Sequence, residues 1–116
     1  MKKLLLITFL LLVTFSFAQQ KEKDSIVIKN TVTLSSVSAY PNPFTIRTRI
    51  NFRSNKEQLV EFTVKNLLGK TVYGERVNSK MGVNSISFNR ENLTKGMYIY
   101  SLQTETEVVS KRLVIR

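Results

Sequence analysis

From Leu34 to Ile115 the chain alternates apolar and polar side chains in short runs broken by turn residues. A period of two belongs to strands with one face buried and the other in water. Ile46 to Arg53 shows it most clearly: Ile46, Thr48, Ile50 and Phe52 fall on one face, Arg47, Arg49, Asn51 and Arg53 on the other. Leu59 to Asn66 repeats the pattern through Val60, Phe62 and Val64, and Met97 to Thr104 through Tyr98, Tyr100 and Leu102. Leu34–Tyr40, Thr71–Val77, Val83–Phe88 (Ile86 and Phe88 inward) and Glu107–Ile115 complete the predicted strands. No segment has helical spacing. Pro41-Asn42-Pro43 stops the first strand, because two prolines fix two φ angles and remove two amide donors. Gly69, in Asn66-Leu67-Leu68-Gly69-Lys70, supplies the positive φ of a hairpin turn. About seven short strands in under roughly 90 residues predict an all-β fold, an immunoglobulin/fibronectin-like antiparallel β-sandwich over residues 34–116. Leu93-x-x-Gly96-x-Tyr98 fits either a tyrosine corner, whose buried ring returns its hydroxyl to upstream backbone, or an ordinary buried tyrosine at a strand start.

The pattern changes at both ends. Lys2 and Lys3 precede the apolar run Leu4 to Phe15, and Ser16-Phe17-Ala18 puts small residues where a signal peptidase inspects the chain. This predicts a secretory signal peptide over residues 1–18, cut between Ala18 and Gln19. The run is shorter than the roughly 20 apolar residues that span a bilayer. Residues 19–33 are polar and mixed in charge, as in a flexible arm. At the other end, Val108, Val109, Leu113, Val114 and Ile115 are interrupted by Ser110, Lys111 and Arg112 and closed by Arg116. This reads as an apolar strand with a basic collar. Its edge would offer backbone donors and acceptors to which a partner could add a strand.

Composition narrows the chemistry. Without His or Cys, the chain lacks the commonest general base, the thiolate nucleophile and the usual zinc ligands. An exported chain without cysteine folds without disulfides, which points to a bacterial envelope. Glu105 and Glu107 could share a strand face about 7 Å apart, but they read as solvated. No glycine-rich phosphate loop is present. The expectation is a protein that is not an enzyme and uses no cofactor or metal. The formal charge of +10, lowered by two if Lys2 and Lys3 are removed, favours anionic partners. Arg47, Arg49 and Arg53 form an outward stripe that could grip phosphates, or could simply be the polar side of a half-exposed strand. No aromatic interleaves that face, which counts against a stacking platform, and nucleic acid is not expected as a partner.

Four segments then stand in a fixed order: Tyr40-Pro41-Asn42-Pro43-Phe44; Val64-Lys65-Asn66-Leu67-Leu68-Gly69-Lys70-Thr71-Val72; Leu93-x-x-Gly96-Met97-Tyr98; and Lys111-Arg112-Leu113-Val114-Ile115-Arg116. Together they resemble the type A C-terminal sorting domain of the type IX (Por) secretion system of Gram-negative bacteria, over about Leu34 to Arg116. The resemblance implies export through the inner membrane, folding in the periplasm, recognition by the outer-membrane translocon and passage to the cell surface or medium. It also implies removal by a sortase-like peptidase, with the cargo released or joined to anionic lipopolysaccharide. The family's terminal motif falls on Lys111, Arg112, Leu113, Val114, Ile115 and Arg116. Tyr40, Pro41, Asn42, Pro43, Gly69, Leu93, Gly96 and Tyr98 would hold the sandwich, expected as a monomer. Recognition by strand addition would leave the fold mostly intact when Lys111–Arg116 are removed. One departure is that only about 15 residues separate the predicted cut from the first strand, whereas the family usually carries a larger cargo. Asp24-Ser25-Ile26 is similar to a short bacterial O-glycosylation acceptor. The alternative function is a small non-catalytic adhesion or ligand-binding sandwich of the cell envelope.

Overall fold

A computed structural model describes residues 32–116. The predicted signal peptide, its cut at Ala18–Gln19, the Asp24-Ser25-Ile26 triplet and the arm as far as Thr31 lie outside the described residues. Seven strands follow in order: β1 (Leu34–Tyr40), β2 (Arg47–Ser54), β3 (Gln58–Asn66), β4 (Thr71–Ser79), β5 (Gly82–Asn89), β6 (Gly96–Gln103) and β7 (Val108–Ile115). They form a three-stranded sheet, β1-β2-β5, and a four-stranded sheet, β4-β3-β6-β7, with every strand pair antiparallel. This is the predicted sandwich. The chain crosses between sheets after β2, β4 and β5, so neither sheet is built from consecutive strands alone.

The alternation that predicts the strands also fills the core. Ile50 and Phe52 from β2, Val60, Phe62 and Val64 from β3, Ile86 and Phe88 from β5, and Tyr98, Tyr100 and Leu102 from β6 are all buried. Phe44, Phe88, Phe62 and Tyr73 form a chain of ring contacts, with centroids 5.1 to 6.1 Å apart and planes steeply inclined. Edge-to-face geometry suits the ring quadrupoles and adds to simple burial.

Two apolar residues depart from the pattern. Ile46, predicted inward, precedes the first pair of the β2–β5 ladder, Arg47↔Asn89, and is 75% exposed. The buried face of β2 begins instead at Thr48, whose hydroxyl donates to the Pro41 carbonyl at 2.6 Å. In β1 the register slips between Ser35 and Ser38, and Ser36 takes a φ of +52°. A bulge adds one residue and reverses the parity of everything after it. Leu34 and Val37 therefore both point inward, while Tyr40 turns outward and is 77% exposed.

β3 and β7 flank β6 and run in the same direction, towards Asn66 and Ile115. One end of the sandwich thus carries the proline corner, the 66–70 turn and the end of β7. The opposite end is fastened by Glu107. Its Oε1 accepts from the Thr33 amide (2.7 Å), the Leu34 amide (3.1 Å) and the Thr33 hydroxyl. Thr33, placed by its polarity at the limit of the predicted arm, is buried and also accepts from Gln58 Nε2 at 2.8 Å.

Candidate recognition pole

β7 is an edge strand, paired through β6 on one side only. Its last residues are nevertheless closed on the other side by the proline corner. Asn42 uses its side-chain amide twice: Nδ2 donates to the Arg112 carbonyl and Oδ1 accepts from the Val114 amide, each at 3.0 Å. Phe44 continues the ladder with its backbone, donating to the Val114 carbonyl at 3.0 Å and accepting from the Arg116 amide at 2.9 Å. Both X–Pro peptides of the corner, Tyr40–Pro41 and Asn42–Pro43, are cis. The corner is tied to the first sheet by the Thr48 hydroxyl and is anchored in the core by the Phe44 ring.

This geometry corrects the expectation of strand addition at the terminal motif. From the Arg112 carbonyl to the Arg116 amide the backbone is bonded on its outer edge as well, so a partner strand finds no free groups between them. On β7 an open outer edge remains over Val108 to Ser110, and β1, β4 and β5 are edge strands as well. Leu113 (0% exposed) and Ile115 (2%) are core residues, packed with Phe44, Tyr98 and Tyr100 in one cluster. Lys111 also has an internal role: its ammonium donates to the Val37 carbonyl and so ties β7 to β1. Of the six motif positions, Arg112, Val114 and Arg116 remain to face a partner.

Those three sit in a defined setting. Arg112 lies opposite Ile99 and Val114 opposite Met97 on the outer face of the sheet. Two strand spacings away, about 10 Å, β3 ends in the 66–70 turn. The Asn66 carboxamide oxygen accepts from the Leu68 and Lys70 amides, each at 3.0 Å, and the Asn66 carbonyl accepts from Gly69 N at 3.0 Å. Gly69 has the predicted positive φ, +87°. The turn is rigid, yet Leu67 and Leu68 at its tip are exposed, Leu68 by 93%. The sequence pattern assigns this segment to a turn and gives its leucines no role. The signal was present: two large apolar residues at the one place in a hairpin that no layer can cover.

The remaining structural positions divide. Tyr98 is buried, and its hydroxyl donates to the Thr94 carbonyl at 2.8 Å, which decides for the tyrosine corner. Leu93 packs against the core, and its carbonyl accepts from Arg90 Nε at 2.9 Å. Gly96 opens β6 with a φ of +147°, in register with Ile115. Tyr40, Pro41 and Pro43, expected to hold the sandwich, are exposed, and the residue of that segment that fills the core is Phe44. Among the described residues, no group of three His, Cys, Asp or Glu could hold a metal ion.

A model of the secretion system C-terminal sorting domain matches residues 38–116, from the middle of β1 through the last residue of the pole. No curated protein matches the chain.

Proposed function

Because the chain belongs to the secretion system C-terminal sorting domain family, we propose that the pole carrying Arg112, Val114, Arg116 and the Leu67–Leu68 tip is the face by which the outer-membrane translocon recognises it. The domain is a type IX secretion sorting signal, and its protein is exported to the cell surface or secreted. The reading is supported by one observation above all. The backbone from the Arg112 carbonyl to the Arg116 amide is locked on both edges, yet on its outer face Arg112 and Arg116 are exposed and Val114 half-buried, all on a rigid frame. Recognition then reads side chains, not a free strand edge. Arg112 and Arg116 steer an acidic receptor into register, and Val114, Met97 and the leucine tip supply area to bury against it.

The rest of the proposed route follows from the family. A sortase-like peptidase removes the domain, and the cargo is left free or joined to anionic lipopolysaccharide. The module works as a monomer and catalyses nothing itself. No observation among the described residues favours adhesion as its task.

The test replaces exposed residues, because removing the motif would also remove core. Arg112→Glu with Arg116→Glu reverses two charges without touching Leu113 or Ile115. Export from a strain with a functioning translocon should fall at least about tenfold, with periplasmic accumulation and a melting temperature within a few degrees of the parent. Unchanged export by a folded double variant would overturn the assignment.

A further inference from the structure

β2 sends Arg47, Arg49 and Arg53 onto the outer face of the three-stranded sheet, away from the core and from β7. Register fixes their neighbours: Arg49 stands between Tyr40 of β1 and Ser87 of β5, and Arg53 between Ser35 and Val83. Alternate side chains along a strand lie about 7 Å apart, so Arg49 and Arg53 are rooted about 13 Å from one another. Arg47 Nε donates to Asn89 Oδ1 at 2.9 Å. Neither the Arg49 nor the Arg53 side chain has a hydrogen bond or ion pair with any described residue. The glutamates of the described residues sit in loops or on the other sheet, at positions 57, 61, 75, 91, 105 and 107. Among the described residues, no carboxylate shares the arginines' face.

A half-exposed strand needs polar residues outside, but three like charges on one face without a counterion repel one another. The apolar residues of this face are placed as unusually as the charges. Tyr40 and Val83, both largely exposed, flank Arg49 and Arg53 on opposite sides of β2. We propose that this face binds the phosphate groups of an anionic lipid surface. A guanidinium fork matches two phosphate oxygens at once, and the serines and asparagines around it add neutral donors. A tyrosine and an aliphatic side chain among cations suit the headgroup layer, where a ring body can be buried while its hydroxyl stays wet. An aqueous polyanion such as RNA offers Val83 nothing to bury against, and one tyrosine makes no stacking series. Export brings the domain past the outer membrane, so such a surface lies within reach. This site is separate from the β7 pole and does not depend on how that pole is recognised.

The full chain is titrated with vesicles of phosphatidylcholine, alone and mixed with phosphatidylglycerol. The apolar Leu4–Phe15 run is common to all variants, so the ratio of the two affinities isolates the charge-dependent part. Arg49→Gln with Arg53→Gln should lower affinity for the anionic vesicles by on the order of 25-fold, about fivefold per arginine, and leave the neutral vesicles unchanged. Lys65→Gln with Arg76→Gln removes the same charge from the outer face of the other sheet and should cost less than about twofold. Equal losses from the two pairs would reduce the effect to net charge and overturn the proposal. So would a stripe pair that weakens binding of soluble polyphosphate or RNA but not of vesicles.

Discussion

Single side chains decide how this sandwich is closed. Tyr98 was legible as a corner candidate from Leu93-x-x-Gly96-x-Tyr98, but only the 2.8 Å contact to the Thr94 carbonyl separates it from any buried tyrosine. Tyr40 was not legible. Strict alternation from Leu34 puts it inward, and the extra residue at Ser36, which no local residue type announces, turns it out. The bulge thus places an aromatic beside Arg49, where the sequence, read one strand at a time, shows none. Two other tyrosines make a pH prediction. Burial pushes the Tyr100 phenol above its ordinary value; at Tyr73 desolvation does the same, aided by the Glu75 carboxylate that accepts its hydroxyl at 2.9 Å. The folded protein therefore keeps these protons to a higher pH than the unfolded chain. The stability this contributes is complete below about pH 10, the unfolded value, and is lost as pH rises through the folded values. Urea midpoints measured from pH 8 upward should fall on the alkaline side for the parent and fall less for Tyr100→Phe. Parallel alkaline slopes would contradict the assignment.

At the level of elements, strand positions were readable and their partners were not. All seven predicted strands appear within about two residues of their observed limits, because the hydrophobic period is local information. The closure of β7 is not local. Asn42 and Arg112 are 70 residues apart in sequence, and nothing in Pro41-Asn42-Pro43 says that its carboxamide will bond a strand edge. This is why the terminal motif looked available from sequence and proves half built in. Asn42→Ala removes both bonds and should cost about 1–2 kcal/mol, near the usual worth of a pair of partly exposed hydrogen bonds. It should also speed hydrogen exchange at the Val114 amide well beyond the change at Leu113, whose amide faces β6. If the two amides accelerate equally, the edge is not held by Asn42.

For the whole molecule, the motif and the fold cannot be separated as the sequence suggests. Leu113 and Ile115 are each worth about 1.5–3 kcal/mol of burial, against a total stability of about 5–15 kcal/mol for a domain of this kind. Truncation after Ser110 should therefore lower the melting temperature by about 15 °C or more, or abolish cooperative unfolding, rather than leave a folded module without its signal. Differential scanning calorimetry of the truncated chain decides the point, and a melting temperature equal to the parent's would mean that β7 is dispensable. An export defect in such a truncation would thus report misfolding and lost recognition together. The sandwich is also asymmetric from end to end. Glu107 clamps Thr33 and Leu34 at one extremity, while Arg116 stands at the other, roughly the length of β7, or about 25 Å, away. A receptor gripping the far tip leaves Thr33 and Leu34, the entry to β1, outside its footprint, so whatever acts on the chain before them need not wait for the tip to be released.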